Sequence, residues 1–188
     1  MSAADRKRFG AWYTPSRLVA HVVEQALAAP FEAPTDGTVR VLDLACGDGR
    51  FLHAAARVLR ARGLNPVLTG ADIDLRGLRT QTHHNETIEA IETDSLHHDW
   101  AGREFDVVLG NPPFLSQMAT ATVRAGGSRF GGGPYADAAA DFLALSVRLV
   151  RRDGGRVGLV LPVSLLTARD AGPIRADVCQ RASIRSFW

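Results

Sequence analysis

Two rhythms of apolar residues run through the chain. Stretches at 39–44, 67–73, 87–92, 105–109 and 156–161 are apolar runs or alternations of strand length, the pattern buried strands show. Between them, apolar positions are spaced for one face of a helix. These are Leu18, Val19, Val22, Val23, Ala26 and Leu27, then 51–62, a helix starting at Leu75, and Phe142, Leu143, Leu145, Val147, Leu149 and Val150 within 135–150. Thr14 is the expected N-cap of the first helix, with Pro15 in its first turn, and Pro30 ends that helix near Ala29. Asp74 is the expected N-cap of the helix from Leu75. Pro162 closes the fifth strand, a helix interrupted around Gly172 and Pro173 runs to about Ala182, and 183–188 reads as the opening of another strand. Strands alternating with helices predict an α/β fold with a doubly wound, mostly parallel sheet. The expected organisation is a single domain over 1–188, with 1–10 a polar, flexible terminus.

Ligands of such sheets bind at the carboxyl ends of the strands, and there the polar chemistry of this sequence is concentrated. The run Phe105, Val107, Val108, Leu109 stops at Gly110-Asn111-Pro112-Pro113-Phe114. Adjacent prolines lack N–H groups and cannot continue a central strand. The chain must leave the sheet at Asn111, which places an amide, rigid carbonyls and an aromatic ring at a strand end. Alone, the motif fits a proline turn equally well. The first strand ends in Asp43-Leu44-Ala45-Cys46-Gly47-Asp48-Gly49, where the glycines allow a tight turn with N–H groups open to a ligand. An acid at the strand end, without the lysine and hydroxyl of a phosphate loop, favours a nucleoside-type ligand with an amino-acid tail. Asp72, at the end of the second strand, lies near the range where dinucleotide folds place the acid that grips ribose hydroxyls. Asp94, after the third strand and before Ser95, suits an acceptor for a purine amine or a solvated loop acid.

Composition narrows the picture only a little. The 188 residues are 46% hydrophobic and 22% charged, with a formal charge of +2 and Lys7 as the sole lysine. So small an excess permits a nucleic-acid partner without demanding one. Cys46 and Cys179 form no disulfide framework and lack zinc-site spacing. The pairs His83-His84 and His97-His98 cannot easily share one ion, so no metal is expected. The amino terminus lacks the apolar core of a signal peptide and no apolar run reaches spanning length, which predicts a soluble, cytoplasmic protein with no membrane partner. Residues 115–134, rich in glycine, alanine and threonine, read either as a functional loop, with Arg124 and Arg129 suited to phosphates, or as an insert. Arg148, Arg151 and Arg152 read as solvated cations at a helix carboxyl end.

The motifs Tyr13-Thr14-Pro15, the glycine turn, Asp72, Asp94 and Asn111-Pro112-Pro113-Phe114, in that order, resemble the class I S-adenosylmethionine-dependent methyltransferases. Within these, the chain is similar to the DNA adenine-N6 methyltransferases of restriction-modification systems. The resemblance covers residues 12 to about 165 and implies a Rossmann-like fold with S-adenosyl-L-methionine as cofactor. By this resemblance, Tyr13, Thr14 and Pro15 close over the methionine end. Thr14, Asp43, Ala45 and Gly47, with Cys46 and Gly49 in the same turn, hold the methionine part. Asp72, with Ile73 beside it, holds the ribose, and Asp94, with Ser95, the cofactor's adenine amine. Asn111, Pro112, Pro113 and Phe114 take the catalytic role, holding a target adenine flipped out of DNA. The residue types suit that chemistry: two oxygen acceptors on an exocyclic amine favour a more tetrahedral nitrogen, and an aromatic ring stacks on the base. No Pro-Cys pair of the kind cytosine-C5 enzymes use is present.

Three other readings remain: glutamine-N5 methylation of a protein, as release-factor methyltransferases perform, RNA adenine methylation, and a non-catalytic cofactor- or DNA-binding subunit. Tyr13-Thr14-Pro15 speaks against the glutamine reading. The enzymes resembled continue past the fifth strand with two more strands and a region that reads DNA. The expectation is therefore a catalytic domain lacking its last strands and its target-recognition domain. A second polypeptide would then supply recognition, and the chain alone would bind cofactor but methylate DNA poorly.

Overall fold

The computed structural model describes residues 14–79, 87–114, 128–133 and 136–188. They form two compact units, one of 14–111 with Leu149–Val160 and one of Pro112–Arg148 with Leu161–Trp188.

The first unit contains the sheet. Its strands are β1 (Thr38–Asp43), β2 (Asn65–Asp72), β3 (Ile88–Glu92), β4 (Val107–Gly110) and β5 (Arg156–Leu159), and its helices α1 (Ser16–Ala26), α2 (Arg50–Ala61) and the single turn α3 (Arg76–Arg79). The five strands are all parallel in the order β3-β2-β1-β4-β5. Strand order therefore reverses direction between β1 and β4, and such a switch point opens a crevice at the strands' carboxyl ends. Alternation along β1 and β4 sends Val39, Val41, Val107 and Leu109 into one core with Val19, Val23 and Leu27 near α1 and Phe51, Leu52, Ala55 and Leu59 of α2. Each fully buried leucine or valine there contributes about 1.5–3 kcal/mol.

Several local expectations change. Pro15, not Thr14, occupies the N-cap position of α1. Thr14 is buried, and the entry to α1 rests on the Pro15 carbonyl, which accepts from the N–H groups of Leu18 and Val19 at 2.9 and 3.1 Å. The helix ends at Ala26, short of Ala29, because Leu27 turns into the core. Arg151 is no solvated cation: it is ion-paired with Asp106 at 2.7 Å and donates to the carbonyl oxygen of Glu32. Asp106 also accepts from the N–H of Arg40 at 2.7 Å, so this buried carboxylate locks the amino-terminal edge of the sheet, opposite the strand ends that carry the polar motifs.

In the second unit, which holds it as far as Arg148, α4 (Ala138–Leu149) buries Ala138, Ala139, Ala140, Phe142, Ala144 and Leu145, an apolar girth wider than a surface helix needs. Its buried Asp141 accepts from the Ser128 hydroxyl. Arg148 is also engaged: it pairs with Asp177 at 2.8 Å and lies 4.8 Å over the Phe130 ring. Past β5 come α5 (Ser164–Thr167), a 3-10 turn (Arg169–Ala171) and α6 (Gly172–Arg181). Gly172 and Pro173 begin α6 rather than interrupt it, since proline fits a first turn, where its missing N–H has no partner to lose. The break falls earlier, at extended Ala168. Residues 183–188 have no regular structure, and Ile184, Phe187 and Trp188 are exposed. Among the described residues no helix is long and apolar enough to cross a membrane.

Candidate active site

Asp43 ends β1 inside the fold, only 1% exposed. One carboxylate oxygen accepts from the Ala45 N–H at 3.0 Å, while Oδ2 is buried and has no hydrogen-bond partner among the described residues. Burial pushes its carboxyl up to about 8, the charges of Asp72 and Asp48 add to the rise, and the Ala45 N–H opposes it. Leu109 is its register partner on β4, so the next residue, Gly110, lies against the carboxylate. A Cβ at Gly110 would stand 2.6 Å from Asp43 Oδ1, which leaves glycine as the residue that fits.

Asn111 follows where the chain leaves β4. Its Nδ2 donates to the Thr14 hydroxyl at 2.9 Å, and its Oδ1 is buried and without a partner among the described residues. Thr14 is thus brought beside Asn111, 97 positions away in sequence. Two neighbouring strand ends therefore present two buried oxygens that the described protein groups do not satisfy.

Asp72 closes the other side of the glycine turn. It accepts from the Gly47 N–H at 2.8 Å and from the Asp74 N–H at 3.0 Å, and burial, ahead of these opposing bonds, raises its pKa. Gly49 stands at φ 77°, where a Cβ would meet Leu78 at 2.6 Å. Cys46 turns its side chain inward beneath Gly70 and is 4% exposed. Its N–H goes to the Ala71 carbonyl at 2.9 Å, and burial, followed by the charge of Asp43, pushes its thiol up. Its side chain is therefore packed inside the fold. Ser95 is likewise committed: its hydroxyl donates to the Leu44 carbonyl at 2.6 Å, and its own carbonyl accepts from the Trp100 indole at 2.9 Å. Asp94 is exposed, accepting from the Leu96 N–H at 3.0 Å and pairing with His97 at 2.8 Å. Asp74 accepts from the Arg76 N–H at 3.0 Å, as a cap would.

Ile73 is 54% exposed. Pro112 is buried, Pro113 half-buried and Phe114 exposed in the chain that follows Asn111. Tyr13, His83, His84 and Arg124 lie outside the described residues. The sequence reading missed Arg50. Its guanidinium donates to the Thr14 carbonyl and pairs with Asp48 at 2.7 Å. The Asp-Gly-Arg triplet inside the glycine turn was the available signal.

A parallel sheet of this strand order, with acids and an Asn-Pro-Pro at its carboxyl ends, defines a Rossmann-like class I methyltransferase fold. The chain belongs to the N-6 DNA Methylase family, whose pattern it matches over residues 1–187. It is 30% identical over 204 residues to the Type II methyltransferase M.TthHB8I of Thermus thermophilus, an alignment covering 98% of this chain and 42% of that protein. Among solved structures, the type I restriction-modification methyltransferase subunit from Streptococcus thermophilus superposes with a TM-score of 0.69 at 23% identity, over 90% of this chain and 38% of that one. The M protein of the type I restriction enzyme EcoKI gives 0.59 at 17% identity, over 89% and 37%. The chain thus spans about two fifths of the length of these proteins.

Proposed function

We propose that the chain is the catalytic domain of a DNA methyltransferase that moves the methyl group of S-adenosyl-L-methionine to the N6 amine of adenine. The observation that carries this reading is Asn111 Oδ1, a buried acceptor left open at a strand end while the other end of its amide is held by Thr14. A buried acceptor without a partner costs about 1–3 kcal/mol, so the site is poised for a ligand that brings N–H donors. Asp43 Oδ2, the second unpartnered oxygen, suits the ammonium of an amino-acid tail, whose positive charge would favour the ionised carboxylate. Family membership supports the same substrate.

When bound, S-adenosyl-L-methionine supplies a methyl group on a sulfonium, which makes direct transfer possible without a protein nucleophile. Asp43 is proposed to hold the methionine end, with Thr14, Pro15, Ala45, Gly47 and Gly49 shaping the pocket around it. A carboxylate has about four lone-pair sites, so Asp72 keeps capacity for ribose hydroxyls beyond its two backbone bonds, and Asp94 for an adenine amine. Ile73, next to Asp72, offers an exposed apolar surface. Asn111 Oδ1 and the Pro112 carbonyl would each accept one hydrogen of the target amine, drawing its lone pair out of the ring. Their value is positional, since they are aimed before reaction begins. Phe114 would stack on the flipped base, worth ~1–3 kcal/mol. DNA is the proposed substrate, within the cytoplasm, with a further polypeptide region supplying sequence recognition.

The test is transfer of labelled methyl groups to DNA, RNA and protein offered together, at excess enzyme, by the chain alone and with the polypeptide encoded beside it. Label in deoxyadenosine supports the proposal. Label confined to protein glutamine or to RNA replaces it with one of those substrates, and cofactor binding without transfer to any of them makes the chain a binding subunit.

A further inference from the structure

We infer that Arg50 is a positioning residue for Asn111, acting through Thr14; this rests on the reading of Asn111 as the acceptor for the target amine. The three residues come from distant parts of the sequence but are joined end to end. Arg50 Nε and Nη2 grip the Asp48 carboxylate at 2.9 and 2.7 Å, and the remaining arm, Nη1, donates to the Thr14 carbonyl oxygen. Thr14 is 5% exposed, and its hydroxyl takes the Asn111 Nδ2 hydrogen bond at 2.9 Å. Thr14 precedes α1 in irregular backbone, so no helical hydrogen bond fixes it there. The planar guanidinium fork suits this work, because two of its arms can be anchored rigidly on one carboxylate while a third reaches a carbonyl. The side chains of Arg50 and Asp48 are 21% and 13% exposed, which limits competition from water.

The consequence is a mechanical link between the turn proposed to hold the cofactor and the amide proposed to hold the target base. If Arg50 lets go, Thr14 loses a support, and the plane of the Asn111 amide is no longer fixed. Oδ1 then samples positions away from the incoming amine. The cofactor's own contacts are less affected, because Asp43 and Asp72 are held by the N–H groups of Ala45 and Gly47.

Displacement of a positioned group by an ångström can lower a rate by about a hundredfold. Arg50→Ala should therefore slow single-turnover methyl transfer about ten- to a hundredfold, with a much smaller change in the cofactor Kd. Arg50→Lys should recover part of the loss, since an ammonium can reach the carbonyl or the carboxylate but cannot bridge both in one plane. Combining Arg50→Ala with Thr14→Val should cost little more than either alone, because both break the same path. Independent, multiplying losses would overturn the inference. A readout free of activity is the Asn111 side-chain amide signal in nitrogen-15 spectra of the protein without cofactor, identified by its absence in Asn111→Asp. Arg50→Ala, or Arg50→Gln if the alanine variant folds poorly, should shift or broaden that signal while the sheet amides stay in place. An unchanged Asn111 signal would overturn the inference even if no methyl transfer were seen. Absence of transfer by the wild-type protein alongside the expected shift would fault the proposed reaction and leave the Arg50 link standing.

Discussion

Replacing Asp43 with asparagine should flatten the dependence of stability on pH. The carboxyl is buried at the end of β1, with one oxygen unpartnered, and its pKa rises from 3.8 to about 8. In the unfolded chain the group ionises near its ordinary value, while in the native protein it keeps its proton to about 8. Between those limits the native state binds more protons than the unfolded state, so stability falls as pH rises through that window. The limiting slope is about 1.4 kcal/mol per pH unit for one group, and a fall of several kcal/mol is large against a typical total of about 5–15 kcal/mol. Asp72, also raised by burial, adds in the same direction. Asp74 and Glu89, lowered by Arg76 and Arg103, act oppositely: their contribution is present above the ordinary carboxylate range and lost on acidification, outside this window. Asn at position 43 keeps the oxygen that accepts from the Ala45 N–H but cannot ionise. Urea unfolding of both proteins without cofactor, at pH values from about 5 to about 8, isolates the effect in the difference between the two curves. The variant should gain on the wild type as pH rises. Parallel curves, or a wild type that gains on the variant with rising pH, would refute the reasoning.

Asp72→Ala should weaken cofactor binding measured by calorimetry, because the charge-assisted ribose contact proposed for it and the observed anchor of the Gly47 N–H would be lost together; unchanged affinity would remove the ribose assignment. Gly110→Ala should lower the unfolding free energy, read from urea denaturation, by an amount typical of core overpacking, ~1–3 kcal/mol or more, since the new Cβ would lie 2.6 Å from Asp43 Oδ1. A neutral effect would show that the strand end is looser than described. Phe114→Ala should weaken binding to DNA carrying an unpaired adenine, with Phe114→Tyr tolerated, and equal losses in both would argue against stacking.

The strands and their polar ends were legible because a buried parallel strand has to be apolar and two prolines have to end it. The β1 and β4 termini, with Asp43 and Asn111, followed directly. The partners of those side chains were not legible. A threonine before a proline and a helix looks locally like a cap, and its bond to Asn111 depends on strands that meet only in the folded sheet. Cys46 and Ser95 lie in the segments that carry the motifs, yet the pattern gives no direction for a side chain within a turn, and both side chains point into contacts within the fold. Arg151 resembled a helix-end cation until folding brought Asp106 beside it. Arg50 was hidden similarly, since its third bond goes to a backbone carbonyl that leaves no mark in sequence.

The decisive measurement is the nucleoside product of single-turnover reactions run with labelled cofactor, wild-type protein and Asn111→Ala, each with the polypeptide encoded beside it and with unmodified DNA. Digestion and mass spectrometry should show N6-methyldeoxyadenosine from the wild type and none from Asn111→Ala, with calorimetry giving nearly the same cofactor affinity for both. N6-methyldeoxyadenosine formed at a comparable rate by Asn111→Ala, or label found in another base, would contradict the role given to the open acceptor at the end of β4.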